Sequence, residues 1–422
     1  MILTRLGSLL ILAAACVTAI YNLDATRAHW GLFAAPVFKY LPILLSAAAI
    51  GLFTFGSYRR PPFRNRASLA ALGALFLVVV AGSIYVILRQ HHAVEDSFLG
   101  RGLAIIVVFA TYLMFTIPSE RAWFLRLFAM VVLAQGMAVA IGMILFRFGI
   151  VWPQLTQIYH LETVFILGAV ALAWHAVRNS LVRWFVVILG IVALALSGKT
   201  TGYLFAVIGL LYLAYAKAVA ISANARGRDR EARAAVSGLT ATLFVGAFGI
   251  ATFVGHHLIE QRIDTRLNEV RAHTFSVRLE QFLENPLTGT FFAGSPIERI
   301  SYLAIPSHSD VLDILAFGGI LGLVLFLTPL AIAGRDLLRT RIHLFGNPLN
   351  IWHAVFVALV AGCLLAMSVN PMWGIPRLAF FFWLSVGYLL AVPVVPLGYG
   401  QRSTTPVREA GPLRPGTAAA GG

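Results

Sequence analysis

The chain has 422 residues, of which 59% are apolar and only 12% are charged, where a soluble domain carries about 25% charged residues. That balance excludes a protein whose bulk is soluble. The formal charge of +15 needs no nucleic-acid partner, because basic loops facing anionic lipid account for it.

A membrane span needs about 20 mostly apolar residues. Runs of this kind lie near 5–21, 38–57, 68–88, 102–118, 123–147, 161–177, 183–197, 201–217, 238–257, 309–333, 351–369 and 376–396. They predict an all-α polytopic membrane protein with about twelve transmembrane helices. The first run follows Arg5 and carries small residues before Cys16, in the manner of a signal peptide. Ala13 stands where a lipoprotein site has Leu, and an uncleaved first helix is the reading that fits the many spans behind it. Cys16 and Cys363 both fall in apolar runs, as packed or lipid-facing thiols with neither a disulfide framework nor metal-ligand spacing.

The basic residues orient the chain, since cytoplasmic loops keep an excess of Lys and Arg. Arg59, Arg60, Arg64 and Arg66 follow the second run, Arg121 and Arg126 the fourth, and Arg178 and Arg183 the sixth. Lys217, Arg226, Arg228, Arg230 and Arg233 follow the eighth, and Arg335, Arg339 and Arg341 the tenth. Both termini are therefore expected in the cytoplasm. Between Arg183 and Lys217 the chain must cross twice, turning on the outer side at Ser197-Gly198-Lys199-Thr200-Thr201-Gly202. Each arm is short, and short helices usually line a cavity. Gly198-Lys199-Thr200 resembles the end of a phosphate-binding loop only superficially, because Ala193 holds the place of the earlier glycine and no strand precedes it.

The helical domain is expected to occupy 1–401, with a large outer loop at about 257–308 between spans nine and ten. The segment 402–422, rich in Pro, Gly, Ala and Thr, reads as a disordered cytoplasmic tail. Within the loop, Ile259, Ile263, Leu267, Val270, Thr274 and Val277 recur at steps of three and four, which predicts an amphipathic helix over 257–284. Arg262 and Arg266 flank one side of that stripe, and Arg271 and Arg278 the other. Such arginines either snorkel to lipid headgroups or form an anion site over the membrane. Asn285-Pro286 stops the helix, and Gly289 and Gly294 are expected to loosen the chain behind it. Ser307 and Asp310 have the spacing of a capping box, which would put His308 in the first turn of span ten. The positive end of a helix disfavours imidazolium, and a neutral imidazole is a competent general base near pH 7. By position alone His308 also fits a polar residue at the membrane boundary.

The acidic pairs Glu95/Asp96 and Asp310/Asp313 read as loop and cap residues, and no acidic cluster suggests a metal. His91-His92 and His256-His257 are adjacent pairs without convergent ligands. Trp30, Trp123, Trp152, Trp184 and Trp373 sit near span boundaries, as interfacial aromatics do. Trp152 and Trp373 are the two expected to meet a sugar.

Three motifs taken together resemble the O-antigen ligase family, which also includes polymerases of O-antigen and exopolysaccharide. Arg278 precedes Pro286 and Gly289. His308 precedes the glycine turn Gly318-Gly319-Ile320-Leu321-Gly322. Lys199 follows a Ser in a short turn between two spans. The family usually has Arg at the position of Lys199 and Asn at that of Ser309, and it lacks neither the many spans nor the late outer loop. The resemblance implies transfer of a glycan from an undecaprenyl-diphosphate-linked donor to a sugar hydroxyl of lipid A core or a growing polysaccharide. It places the chain in the bacterial inner membrane with its site facing the periplasm. By this resemblance His308 and Arg278 are the catalytic residues, and Lys199, Arg278 and Arg271 bind the diphosphate. The leaving diphosphate needs cations, arginine's planar fork matches phosphate oxygens, and His308 would take the acceptor's proton. No cofactor is expected, and attack opposite the diphosphate would invert the anomeric centre. The competing class is a non-catalytic transporter or flippase of a similar glycolipid. A transporter is expected to carry charges deep in several spans, whereas the candidate charges here gather at one outer face.

Overall fold

The computed structural model describes residues 2–23, 36–56, 65–90, 97–150, 163–177, 179–196, 265–300, 303–305, 309–339, 348–368, 371–373 and 376–393. These are helical apart from their connecting turns and one short hairpin, β1 (Glu298–Ile300) against β2 (Leu303–Ile305), antiparallel with Arg299 opposite Ala304. Among the described residues, five helical stretches are long and apolar enough to cross a membrane: Ile2–Ile20, Arg66–Gln90, Leu99–Thr116, Pro118–Leu145 and Asp310–Asp336. Five shorter apolar helices accompany them. Each expected span except 201–217 and 238–257, which lie outside the described residues, coincides with one of these helices.

Small residues bring the first two helices together. In α1 (Ile2–Leu23) and α2 (Pro36–Gly56), Gly7 lies against the Phe53 ring and Gly56 against Leu3 and Thr4, so the pair is antiparallel. Close backbone approach of this kind drives helix association where the surroundings are as apolar as the side chains. The next helices are α3 (Arg66–Gln90), α4 (Leu99–Ala104) and α5 (Ile106–Thr116). A one-residue turn at Ile105 separates α4 from α5, its N–H donating to the Gly102 carbonyl at 3.0 Å. Ile117 is extended, and Pro118 then opens α6 (Pro118–Arg147), the position where a missing N–H does no harm. After α7 (Thr163–Ala176), Asn179 caps α8 (Ser180–Leu196) by accepting from the Leu181 and Val182 N–H groups at 2.9 and 3.3 Å. The remaining helices are α9 (Thr265–Glu284), α10 (Asp310–Arg339), α11 (Pro348–Met367) and α12 (Pro376–Ala391).

Helix ends meet at two faces. On the first, Arg5 pairs with Glu120 at 3.0 Å and lies over the Trp123 ring, so the starts of α1 and α6 adjoin. Asn65 donates to the Leu390 carbonyl, and His353 Nε2 meets that of Val392. These contacts bring the start of α3 and the start of α11 to the end of α12. On the second face Arg101 reaches Asp313, Ser309 donates to the Met367 carbonyl, and Arg147 Nε donates to the Leu196 carbonyl. Consecutive apolar helices therefore alternate in direction. Arg5, Arg66, Arg121, Arg183 and Arg335 share the first face, the one that the basic residues are expected to turn to the cytoplasm.

The last helix, α12, is the centre of the bundle. Its side chains from Leu378 to Tyr388 are buried all round, the pattern of a helix enclosed by others. Phe381 and Tyr388 pack into a group of rings with Phe115, Phe124, Phe128, Phe165 and Phe356.

Candidate functional site

The site is built on a break in α10. Gly319 has φ 61 and ψ −163, a conformation that favours glycine. In an unbroken helix the Ile320 and Leu321 N–H groups would bond to the carbonyls of residues 316 and 317. They donate instead to the carbonyls of Pro286 and Leu287, at 2.9 and 3.0 Å. The Phe317 carbonyl, released by the same break, accepts from the Phe292 N–H at 2.8 Å. The turn after α9 thus re-enters the bundle and completes the hydrogen bonding of α10.

Close contact fixes the glycines at this junction. A Cβ on Gly319 would stand 2.5 Å from the Leu287 carbonyl carbon and the Thr288 nitrogen. One on Gly289, whose φ is 54, would stand 2.5 Å from the Phe317 carbonyl carbon. Gly289 is therefore a tightly specified residue, where the sequence suggested a loosening one. Phe291 and Phe292 are also left-handed, at φ 53 and 59, a strain of about 1–3 kcal/mol each. Burial of the Phe292 ring beside Phe98 and Trp373 offsets part of it, with centroids at 5.2 and 6.5 Å.

Above this junction lies a buried ionic cluster. Asp313, in the first turn of α10, is wholly buried. Its Oδ1 accepts from Arg278 Nε at 3.1 Å, and its Oδ2 accepts from Arg101 Nη1 at 2.5 Å. Arg278 is itself only 3% exposed. It donates through Nη1 to Gln281 Oε1 at 2.8 Å and through Nη2 to the Pro296 carbonyl at 3.1 Å. Its guanidinium lies over the Phe317 ring, and that of Arg101 over Phe98, each 4.8 Å from the centroid. Asp310 accepts from the Trp373 N–H and has Oδ1 3.6 Å from Arg101. The indole Nε1 of Trp373 donates to the Arg101 carbonyl at 3.0 Å. Among the described residues the cluster brings two arginines against two aspartates, and pairing of opposite charges is what permits their burial.

Several expectations are revised by this arrangement. The amphipathic helix spans Thr265–Glu284, and 257–264 lie outside the described residues. Thr274 and Arg278, four apart, form its buried face, while Leu279 and Leu283 are 51% and 65% exposed. Arg278 was expected to flank the stripe, and Asp313 draws it inward. Ser309 caps α10, its Oγ accepting from the Leu312 N–H at 3.2 Å, and the helix begins at Asp310, two residues after His308; Ser307 lies outside the described residues. Asp310 and Asp313 hold other elements together and are more than cap residues. Trp373 is buried among Phe292, Phe326 and Trp383 with both N–H groups used internally, so it is not placed to stack on a sugar. Cys16 and Cys363 are free thiols.

Of the four candidate residues, the described part of the structure shows the side chain of Arg278 alone. Lys199 and His308 lie outside the described residues, as do Arg262, Trp152 and the two histidine pairs; Arg271 lies in α9, its side chain outside them. Among the described residues no group of three or more His, Cys, Asp or Glu is placed to hold a metal ion. Sequence reasoning missed Arg101 as a partner of this site. The available signal was an arginine between two glycines, at the edge of an apolar run and three residues after Phe98, where an ionisable side chain usually has a task. No protein-family model matches the chain, and no curated protein matches it.

Proposed function

We propose that the chain is a membrane glycosyltransferase of the O-antigen ligase and polysaccharide polymerase type. It spans the bacterial inner membrane about twelve times and moves a glycan from an undecaprenyl-diphosphate carrier to a sugar hydroxyl on the periplasmic side. The observation that supports this reading is the pairing of two motifs distant in sequence. The segment Arg278…Pro286…Gly289 meets the segment Ser309…Gly319…Gly322 through backbone hydrogen bonds and through the Arg278–Asp313 pair. The two stretches that carry the family resemblance form one structural unit, at the face opposite Arg5, Arg66 and Arg121.

In this scheme the cations Arg278, Lys199 and Arg271 stabilise the charge that grows on the leaving diphosphate. His308, the residue before the Ser309 cap, takes the acceptor's proton. The bond between the anomeric carbon and the diphosphate oxygen breaks as the acceptor oxygen attacks from the opposite face, with inversion. The lipid diphosphate leaves with both electrons of the broken bond.

The experiment is transfer by purified protein from a lipid-diphosphate-linked glycan to an acceptor glycan. Wild type is expected to transfer, and His308→Gln, similar in shape but unable to serve as the base, to be slower by about 10²–10⁴-fold. No transfer by wild type to either lipid A core or a polysaccharide end would sink the reading. Full turnover by His308→Gln would leave the reading standing but remove the histidine from its role. In cells, deletion separates the two branches: loss of capped core marks a ligase, and short chains mark a polymerase.

A further inference from the structure

Asp313 shares its carboxylate between two arginines from distant elements, Arg101 of α4 and Arg278 of α9, one on each oxygen. The Arg101 contact is the shorter, 2.5 Å against 3.1 Å. Arg278 offers Asp313 only its Nε edge. Its two terminal nitrogens go to the neutral oxygens of Gln281 and Pro296, so the pair lacks the two-pronged geometry that makes arginine–carboxylate bonds strong. A buried carboxylate with a single cation cannot release it without leaving an uncompensated charge, which is strongly unfavourable. Asp313 has a second cation. Arg101 in turn has a second carboxylate, Asp310 at 3.6 Å.

We propose that Asp313 is the resident anion of the donor site. It holds Arg278 while no diphosphate is bound, the diphosphate displaces it, and Arg101 keeps it neutralised once Arg278 has turned to the donor. The proposal rests on the reading of the substrate as a lipid diphosphate. Such a ligand carries two or more negative charges and can accept from both prongs of the guanidinium, so it outcompetes a carboxylate that accepts from one. Asp313 and Arg101 are then positioning residues that act through Arg278. Their balance sets the fraction of molecules in which Arg278 is available, and apparent affinity falls with that fraction.

The test is binding of undecaprenyl diphosphate to the purified full-length protein in detergent, followed by microscale thermophoresis. Asp313→Asn keeps the shape and removes the competing charge, and it is expected to bind about tenfold more tightly than wild type. Arg101→Gln leaves Asp313 to hold Arg278 alone, and it is expected to bind about tenfold more weakly. A purely structural role for Asp313 predicts weaker binding in both variants. Equal or weaker binding by Asp313→Asn therefore overturns the proposal, and unchanged binding by Arg101→Gln removes Arg101 from it. Should Asp313→Asn fail to fold, the paired variant Arg101→Gln/Asp313→Asn removes one charge of each sign. It is again expected to bind more tightly than wild type, and binding no tighter than wild type overturns the proposal. Wild type that does not bind the probe defeats the lipid-diphosphate reading itself; wild type that binds, with Asp313→Asn unchanged, defeats this inference alone.

Discussion

Around α12 the chain is held by rings, and in the first turns of α10 it is held by charges and backbone hydrogen bonds. Phe115, Phe356 and Tyr388 meet with centroids 4.4 to 6.2 Å apart, and each such pair contributes about 0.5–1.5 kcal/mol beyond burial. No single ring decides the arrangement, because its neighbours still pack on one another when one shrinks. The Arg101–Asp313–Arg278 cluster behaves differently. Its members are buried charges, so loss of Asp313 removes the carboxylate that both arginines share, while loss of one arginine leaves Asp313 to the other with a hydrogen bond unmade. A bundle built from rings tolerates change, and one small region built from charges does not. Brittleness of this kind is retained where geometry matters more than stability.

The sharpest way to break that contrast is Arg278→Ala. It leaves Asp313 to Arg101 alone, and a loss of about 1.5–3 kcal/mol is expected on thermal unfolding, together with loss of glycan transfer. Arg278→Lys keeps the charge and should recover part of the stability but little transfer, since a point charge lacks the fork. If Arg278→Ala unfolded like wild type and still transferred glycan, the cluster would be no different from the rings. Gly319→Ala comes next. With φ at 61 and a Cβ 2.5 Å from the Leu287 carbonyl carbon, it is expected to lose about 1–3 kcal/mol. Phe165→Leu, within the rings, gives up a ring pair with Phe381 and should lose about 0.5–1.5 kcal/mol. Gly73→Ala, in α3 with nothing within 4 Å of the new methyl, should lose nothing and gain up to about 1 kcal/mol from helix propensity. An equal loss at Gly73 and Gly319 would mean that the break in α10 carries no special burden.

The described helices were legible in the sequence because a bilayer imposes both length and apolarity on a span, and hydropathy reports both. The direction of each helix followed from the arginines at one face. The pairing of Pro286 and Leu287 with Ile320 and Leu321 was not legible. A proline and a run of glycines announce a break in each segment, but neither says which freed carbonyl meets which freed N–H. Asp313 read as a cap because its sequence neighbours explain it, while its two arginines lie far off in the chain. Trp373 read as a sugar platform because a boundary tryptophan looks the same from sequence whether its ring faces outward or lies beneath another helix. Arg278 was found by motif, yet its burial against Asp313 came only with the fold.

The break at Gly319 also bears on how the protein is made. As α10 leaves the ribosome, its Ile320 and Leu321 N–H groups have no partner within their own helix, and an unpaired amide in hydrocarbon costs several kcal/mol. Their partners, the carbonyls of Pro286 and Leu287, belong to chain synthesised earlier. Insertion of this helix is therefore expected to wait on, or proceed together with, the return of that turn, so that an earlier turn serves as part of the template on which a later helix settles.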